Sequence, residues 1–234
     1  MLVLTGMGRS EAAEWTDALK SVAPDVEVVH GPLKEGHERA EFALTFLPEA
    51  GELARYAKLR FVSAAGAGVD GILRDASLPP KLPVVRLVDR VLTARMSEYV
   101  VHAVLHHHRR VAHYTAAQAR REWDVRVQRV GTRVGILGLG ALGADAAHKL
   151  SVLGFAVAGW SRRTKAIPEI ESFTGADGLH RLAARSDVLV CLLPLTAATR
   201  GIVDAALLAR LPDGATVVNP ARGGLIVDED LLAA

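Results

Sequence analysis

Short apolar runs alternate with polar, helix-compatible stretches along the whole chain. Early on, residues 2–4, 26–29, 42–46, 61–64 and 84–87 have the length and apolar content of buried strands. Between the first two, Ser10 is expected to cap a helix that reaches Val22 and is stopped by Pro24. Strands that alternate with helices predict a parallel sheet. A long helical pattern then covers about residues 97–120, with Val100, Val104, Leu105, Val111 and Ala112 on its apolar side. The alternation resumes at Arg133, with strands at 134–137, 156–160, 188–193 and 216–218 and a helix opening at Leu142. Leu211-Pro212-Asp213-Gly214 stops one helix and turns the chain into the last of these strands. The simplest architecture is α/β with two lobes, 1–96 and 97–234.

Composition narrows the class. Of 234 residues, 50% are hydrophobic and 23% charged, and 28 basic against 26 acidic side chains leave +2, so disordered and fibrous chains are excluded. No apolar run approaches the ~20 residues of a membrane helix. The opening residues lack a basic leader or cleavage site, so the expected location is the cytoplasm. The single cysteine, Cys191, sits in an apolar run and reads as a buried, inert thiol.

Arginine dominates the basic residues, with Arg109, Arg110, Arg120, Arg121, Arg126, Arg129 and Arg133 close together. Glu122 and Asp124 interleave with them and Trp123 is the lone aromatic, so a solvated or subunit-contacting face is expected rather than a nucleic-acid surface. His102 and His106 stand one helical turn apart, with His107 and His108 beside them. No H-E-x-x-H pattern or third ligand accompanies them, so they read as a wet helix face and no metal site is expected.

Residues 134–143 read VGILGLGALG, placing Gly138, Gly140 and Gly143 in G-x-G-x-x-G spacing after a strand and at the start of a helix. The first glycine allows the tight turn, the second lets backbone approach a pyrophosphate, and the third lets helix pack on strand. The helix N-terminus adds free N–H groups and partial positive charge. The next strand ends Trp160-Ser161-Arg162-Arg163, where an NAD-binding fold places a carboxylate for the ribose. Ser161 can donate a hydrogen bond to a 2′-phosphate, and Arg162 and Arg163 can pair with its charge, so NADP(H) is favoured over NAD(H).

Four segments in order then resemble D-isomer-specific 2-hydroxyacid dehydrogenases: the glycine loop, the strand exit at 160–163, Cys191-Leu192-Leu193-Pro194-Leu195-Thr196, and Asn219-Pro220-Ala221-Arg222-Gly223. Ala-Gly-Ala-Gly-Val-Asp at 65–70 and M-x-E-Y-V at 96–100 are most similar to the glyoxylate/hydroxypyruvate reductase A type. The resemblance implies a flavodoxin-like substrate lobe, a Rossmann doubly wound cofactor lobe and a homodimer formed through the cofactor lobes. It implies reduction of a small 2-oxo acid, with Ala67 and Gly68 holding the substrate carboxylate through backbone N–H groups and Arg222 clamping it and polarising the ketone. It also sets Leu139, Ala141, Leu142, Leu193, Pro194, Thr199 and Ala221 against the cofactor. The family's catalytic Glu and His fall downstream of Arg222. The chain stops at Ala234, so a longer protein is expected, and the 234 residues alone should turn over poorly. Two other readings stay open: a cofactor-binding co-repressor of this fold, and a dehydrogenase for another 2-oxo acid.

Overall fold

The computed structural model describes residues 1–125 and 131–234, in two compact units, Met1–Val88 and Asp89–Ala234. Arg126 and Arg129 lie outside the described residues.

In the first unit, β1 (Leu2–Thr5), α1 (Arg9–Val22), β2 (Val28–His30), β3 (Phe42–Thr45), β4 (Phe61–Ala64), the single-turn α2 (Asp70–Leu73) and β5 (Val84–Val85) follow one another. All strand pairs are parallel, in the order β2-β1-β3-β4-β5, which is the flavodoxin-like order. Alternation along each strand feeds two cores. Val3, Ala43, Val62 and Ala64 pack with Leu53, Tyr56 and Ile72, while Leu4 and Leu44 pack with Ala12 of α1. The α1 cap differs from expectation. The helix starts at Arg9 with Gly8 at its N-cap and no side-chain cap, so Ser10 lies inside the first turn.

The second unit opens with α3 (Arg90–His108) and α4 (Val111–Ala119). The helix expected over 97–120 therefore begins earlier and is broken. Asp89 Oδ1 accepts from the N–H groups of Val91 (2.7 Å) and Leu92 (3.0 Å), a cap that fixes the start. The break falls at Arg110, whose φ of 53° is left-handed. As a result Val111 is 39% exposed rather than on the packed face, which is carried by Ser97, Val100 and Val104. The lobe boundary expected near residue 96 lies within α3, whereas the compact units divide between Val88 and Asp89.

There follow β6 (Arg133–Leu137), α5 (Ala141–Val152), β7 (Ala156–Trp160), β8 (Glu171–Phe173), α6 (Gly175–Ala184), β9 (Val188–Cys191), α7 (Ala205–Leu208), β10 (Thr216–Val218) and α8 (Asp228–Ala233). The sheet is wholly parallel in the order β10-β9-β6-β7-β8, the Rossmann arrangement with its switch point between β6 and β9. Val134, Ile136, Val188 and Val190 face α3 and α5, where Val100, Val104, Ala146 and Leu150 are fully buried. Leu137, Leu189 and Cys191 face α6 and α7 through Leu182 and Leu207. A side chain of this size is worth ~1.5–3 kcal/mol when fully buried, so both sheet faces contribute strongly to stability.

Arg133, read in sequence as part of a solvated arginine face, instead donates from Nη2 to Asp187 Oδ1 at 2.8 Å and from Nε to Oδ2 at 3.2 Å, joining the starts of β6 and β9. Cys191 is fully buried, and burial pushes its thiol up to about 12. Among the described residues no helix is long and apolar enough to cross a membrane.

Candidate active site

In the second unit, the glycine loop leaves β6 at the switch point. Gly138 adopts φ +108°, donates its N–H to Trp160 O at 2.8 Å and sits so close to β9 that a Cβ would lie 2.7 Å from Leu192 O. A Cβ on Gly143 would fall 1.8 Å from Gly138 O, so that glycine lets α5 close onto the loop. Gly140 is different. It caps α5 without a side-chain hydrogen bond, and its added Cβ would meet nothing within 4 Å. Two glycines are thus demanded by packing, and the middle one faces open space where a pyrophosphate could reach the helix N-terminus. Leu139 is buried over Gly159, while Ala141 and Leu142 form the first turn of α5.

The β7 exit carries the second test of fit. Arg162 and Arg163 are exposed, and among the described residues neither side chain makes a hydrogen bond or ion pair. Ser161 behaves otherwise than the sequence suggested. It is buried, and its hydroxyl donates to Arg163 O at 2.7 Å, so its proton shapes the turn rather than pointing to a phosphate. Trp160 donates from Nε1 to Gly175 O at 2.8 Å, which fixes the other side of the exit. No acidic side chain occupies 160–163. The residues present therefore fit a dinucleotide with a 2′-phosphate.

The exits of β9 and β10 lie side by side. Leu193 is buried and Pro194 exposed. Thr199 Oγ1 donates to Pro194 O at 2.6 Å and accepts from Thr196 N at 2.8 Å, so Thr199 organises this loop from within. The loop then joins the turn after β10 through Gly201 N to Gly224 O (2.9 Å) and Val203 N to Leu225 O (3.0 Å). That turn presents Ala221, half-buried, and Arg222, exposed, with Arg222 Nη1 donating to Ala221 O at 2.9 Å. Asn219 was not among the site residues expected from sequence, yet its amide holds the turn. Nδ2 donates to Arg222 O at 2.9 Å and Oδ1 accepts from Ala221 N at 3.2 Å. An asparagine followed by proline at a strand end was the available signal.

In the first unit, Ala67 and Gly68 lie in the irregular stretch between β4 and α2. This stretch is held by Ala65 N to Thr45 O (2.7 Å) and Leu87 N to Gly66 O (3.0 Å), with Phe46 under Gly66. Elsewhere in this unit the buried Glu52 carboxylate accepts from Thr5 Oγ1 and from Glu49 N (3.3 Å), tying the end of β1 to the loop after β3.

The histidines have their own partners. His107 Nδ1 is 2.6 Å from Thr216 Oγ1 and His108 Nδ1 is 2.8 Å from Thr132 Oγ1, so these two are half-buried rather than wet, whereas His102 and His106 are exposed. Among the described residues no three His, Cys, Asp or Glu side chains converge as metal ligands.

A parallel sheet of Rossmann order, a glycine loop at its switch point and a basic β7 exit define a dinucleotide-binding protein. The family model for the D-isomer specific 2-hydroxyacid dehydrogenase NAD-binding domain matches residues 101–234. The chain is 39% identical over 230 residues to glyoxylate/hydroxypyruvate reductase A of Salmonella paratyphi B, covering 95% of this chain and 73% of that protein. A crystal structure of a D-isomer specific 2-hydroxyacid dehydrogenase from Xanthobacter autotrophicus Py2, in complex with NADPH and MES, superposes with a TM-score of 0.93 at 37% identity, covering 100% of this chain and 76% of that one. The NADPH-dependent glyoxylate/hydroxypyruvate reductase of Sinorhizobium meliloti, in complex with NADP and sulfate, gives 0.89 at 38% identity, covering 99% and 76%. The chain belongs to the D-isomer-specific 2-hydroxyacid dehydrogenase family.

Proposed function

We propose that the protein is an NADPH-dependent reductase that converts a small 2-oxo acid, glyoxylate or hydroxypyruvate, to the 2-hydroxy acid. The observation that carries this reading is the β7 exit, where Arg162 and Arg163 lie exposed, residues 160–163 include no acidic side chain and the Gly140 approach is open. Both reductases named above act in this class, and one is NADPH-dependent by name. When bound, NADPH supplies the hydride that reduces the 2-oxo carbon. The chain's residues bind and orient. The α5 N-terminus receives the pyrophosphate, with Leu193, Pro194, Thr199 and Ala221 along the cofactor, and Arg162 and Arg163 pair with the 2′-phosphate. The N–H groups of Ala67 and Gly68 take the substrate carboxylate. Arg222 clamps the same carboxylate and stabilises the ketone oxygen as negative charge builds on it.

NADPH should bind at least tenfold more tightly than NADH, which corresponds to ~1.4 kcal/mol for a phosphate–arginine pair. Fluorescence titration, with Trp160 beside the site as reporter, measures both. Replacing both arginines (Arg162→Ala, Arg163→Ala) should abolish the preference, and equal affinities in the unaltered protein would reject the cofactor assignment.

The reading includes a homodimer formed through the second unit and a cytoplasmic setting. There Trp123 is 92%, Val125 77% and Tyr99 55% exposed, apolar surface that a two-fold contact would remove from water. Light scattering at micromolar concentration should give twice the chain mass; the mass of one chain would count against the dimer.

A further inference from the structure

The geometry points to Asn219 as the residue that positions Arg222, an inference that rests on the function proposed above. Three observations converge on it. The side chain brackets the turn from both sides, donating to Arg222 O at 2.9 Å and accepting from Ala221 N at 3.2 Å. The Arg222 carbonyl also accepts from Leu225 N at 3.1 Å, and Leu225 is fully buried against the α6 and α7 face of the sheet. The carbonyl of the arginine is therefore gripped by one side chain at the strand end and by one amide anchored in the core. The guanidinium, in contrast, is exposed, and it is an arginine's long stem that makes its head hard to place.

The neighbouring backbone accounts for why an amide side chain is needed. Arg222 has extended dihedrals (φ −143°, ψ 136°), and residues 223–225 then close a 3₁₀ turn, so the chain reverses direction at the arginine. Pro220 supplies no N–H to that reversal. Among the residues of the turn, Asn219 carries both the donor that Arg222 O accepts and the acceptor that Ala221 N requires. An aspartate of the same shape would offer two acceptors and no donor. Serine is too short to bridge both atoms. Asn219 thus acts through Arg222, holding its backbone so that the guanidinium stands where a carboxylate and a developing oxyanion can meet it. Misplacement by about 1 Å of a positioned group can cost on the order of 100-fold in rate, so such a clamp is sufficient to matter.

The test compares Asn219→Ala and Asn219→Asp with the unaltered protein, each with and without Arg222→Lys, in three measurements. Amide hydrogen exchange reads the turn itself. Titration of oxalate, a small dicarboxylate probe, into the NADPH-loaded protein reads the guanidinium. Titration of NADPH alone reads the rest of the lobe. Positioning predicts at least tenfold faster exchange at Ala221 and Leu225 in Asn219→Ala, which loses both bonds, and, in both variants, at least tenfold weaker oxalate binding with NADPH affinity within twofold of the unaltered protein. It further predicts that either Asn219 change costs little more once Arg222 is already lysine. A merely structural asparagine would weaken NADPH and oxalate binding together, and its effect would add to that of Arg222→Lys; either result overturns the inference. Unchanged exchange in the Ala variant also overturns it. Failure of the unaltered protein to bind NADPH or oxalate would instead reject the proposed function on which the inference rests.

Discussion

The strand exits at Gly66 and Gly138 both turn the chain through glycine after a buried parallel strand, yet they are built differently. After β6, Gly138 and Gly143 are forced by close backbone approaches of 2.7 and 1.8 Å, and the loop runs into the 12-residue helix α5. After β4, a Cβ on Gly66 would meet only the Phe46 ring at 3.6 Å, an ordinary contact, and the following helix has four residues. A long helix offers an aligned dipole at its N-terminus, and a single turn offers little. The first arrangement suits the doubly charged pyrophosphate. The second has no such helix and would have to rely on local N–H groups, as the function proposed above asks of Ala67 and Gly68. The lesson is that glycines in similar spacing report different constraints: backbone approach forces Gly138 and Gly143, whereas Gly66 has only an ordinary ring contact.

The sharpest way to break this contrast is to add one methyl group at a time. Gly143→Ala drives a methyl into Gly138 O and should destabilise the protein by on the order of 3 kcal/mol, lowering its denaturant midpoint and removing NADPH binding with it. Gly66→Ala should leave the stability within about 0.5 kcal/mol of that of the unaltered protein. Gly140→Ala lies between them. Its methyl enters open space, so stability should change by no more than about 1 kcal/mol, while NADPH affinity falls at least tenfold because the methyl occupies the pyrophosphate approach. A stable Gly143→Ala variant, or a Gly140→Ala variant with normal affinity, would erase the distinction.

The smallest expected effect concerns how α5 is anchored. Burial pushes the Asp145 carboxyl up, but hydrogen bonds from Lys149 and the buried Ser97 and the charges of Lys149 and His148 outweigh it, holding Asp145 below the usual carboxylate range. A folded value below the unfolded one gives stability that is present above the unfolded value of ~3.9 and is lost as pH falls through the lower folded value. Asp145→Asn should therefore be less stable than the unaltered protein at neutral pH, and their acid denaturation curves should converge below about pH 4. A constant gap across that range would show that the ion pair does not set the difference.

Much of this was legible in the residues. The strands Phe61–Ala64, Ala156–Trp160 and Thr216–Val218 match their apolar runs to the residue. The glycine spacing marked the dinucleotide loop because its constraint is local. By contrast β8 escaped notice, since Glu171-Ser172-Phe173 is a three-residue edge strand whose only buried side chain is Phe173. The start of α3 was also missed: Leu87-Val88 reads as the continuation of an apolar strand, and only the Asp89 cap shows where the helix begins. The Ser161 hydroxyl was read as a phosphate donor because it stands beside two arginines, and its bond to the carbonyl two residues on could not be seen before the turn was folded. Asn219 stayed silent because its work is done on backbone atoms that come together only when the turn folds.

The sealed thiol of Cys191 has a practical consequence. Fully buried, with its acidity suppressed to about 12 and no second cysteine in the chain, it offers maleimide reagents no reactive thiolate at neutral pH. These 234 residues are thus a background-free frame for site-specific dyes without prior removal of a native thiol. One label on the first lobe through Lys58→Cys and one on the second through Lys165→Cys, both at exposed positions, would turn the separation of the lobes into an energy-transfer signal that can be followed as NADPH and oxalate are added.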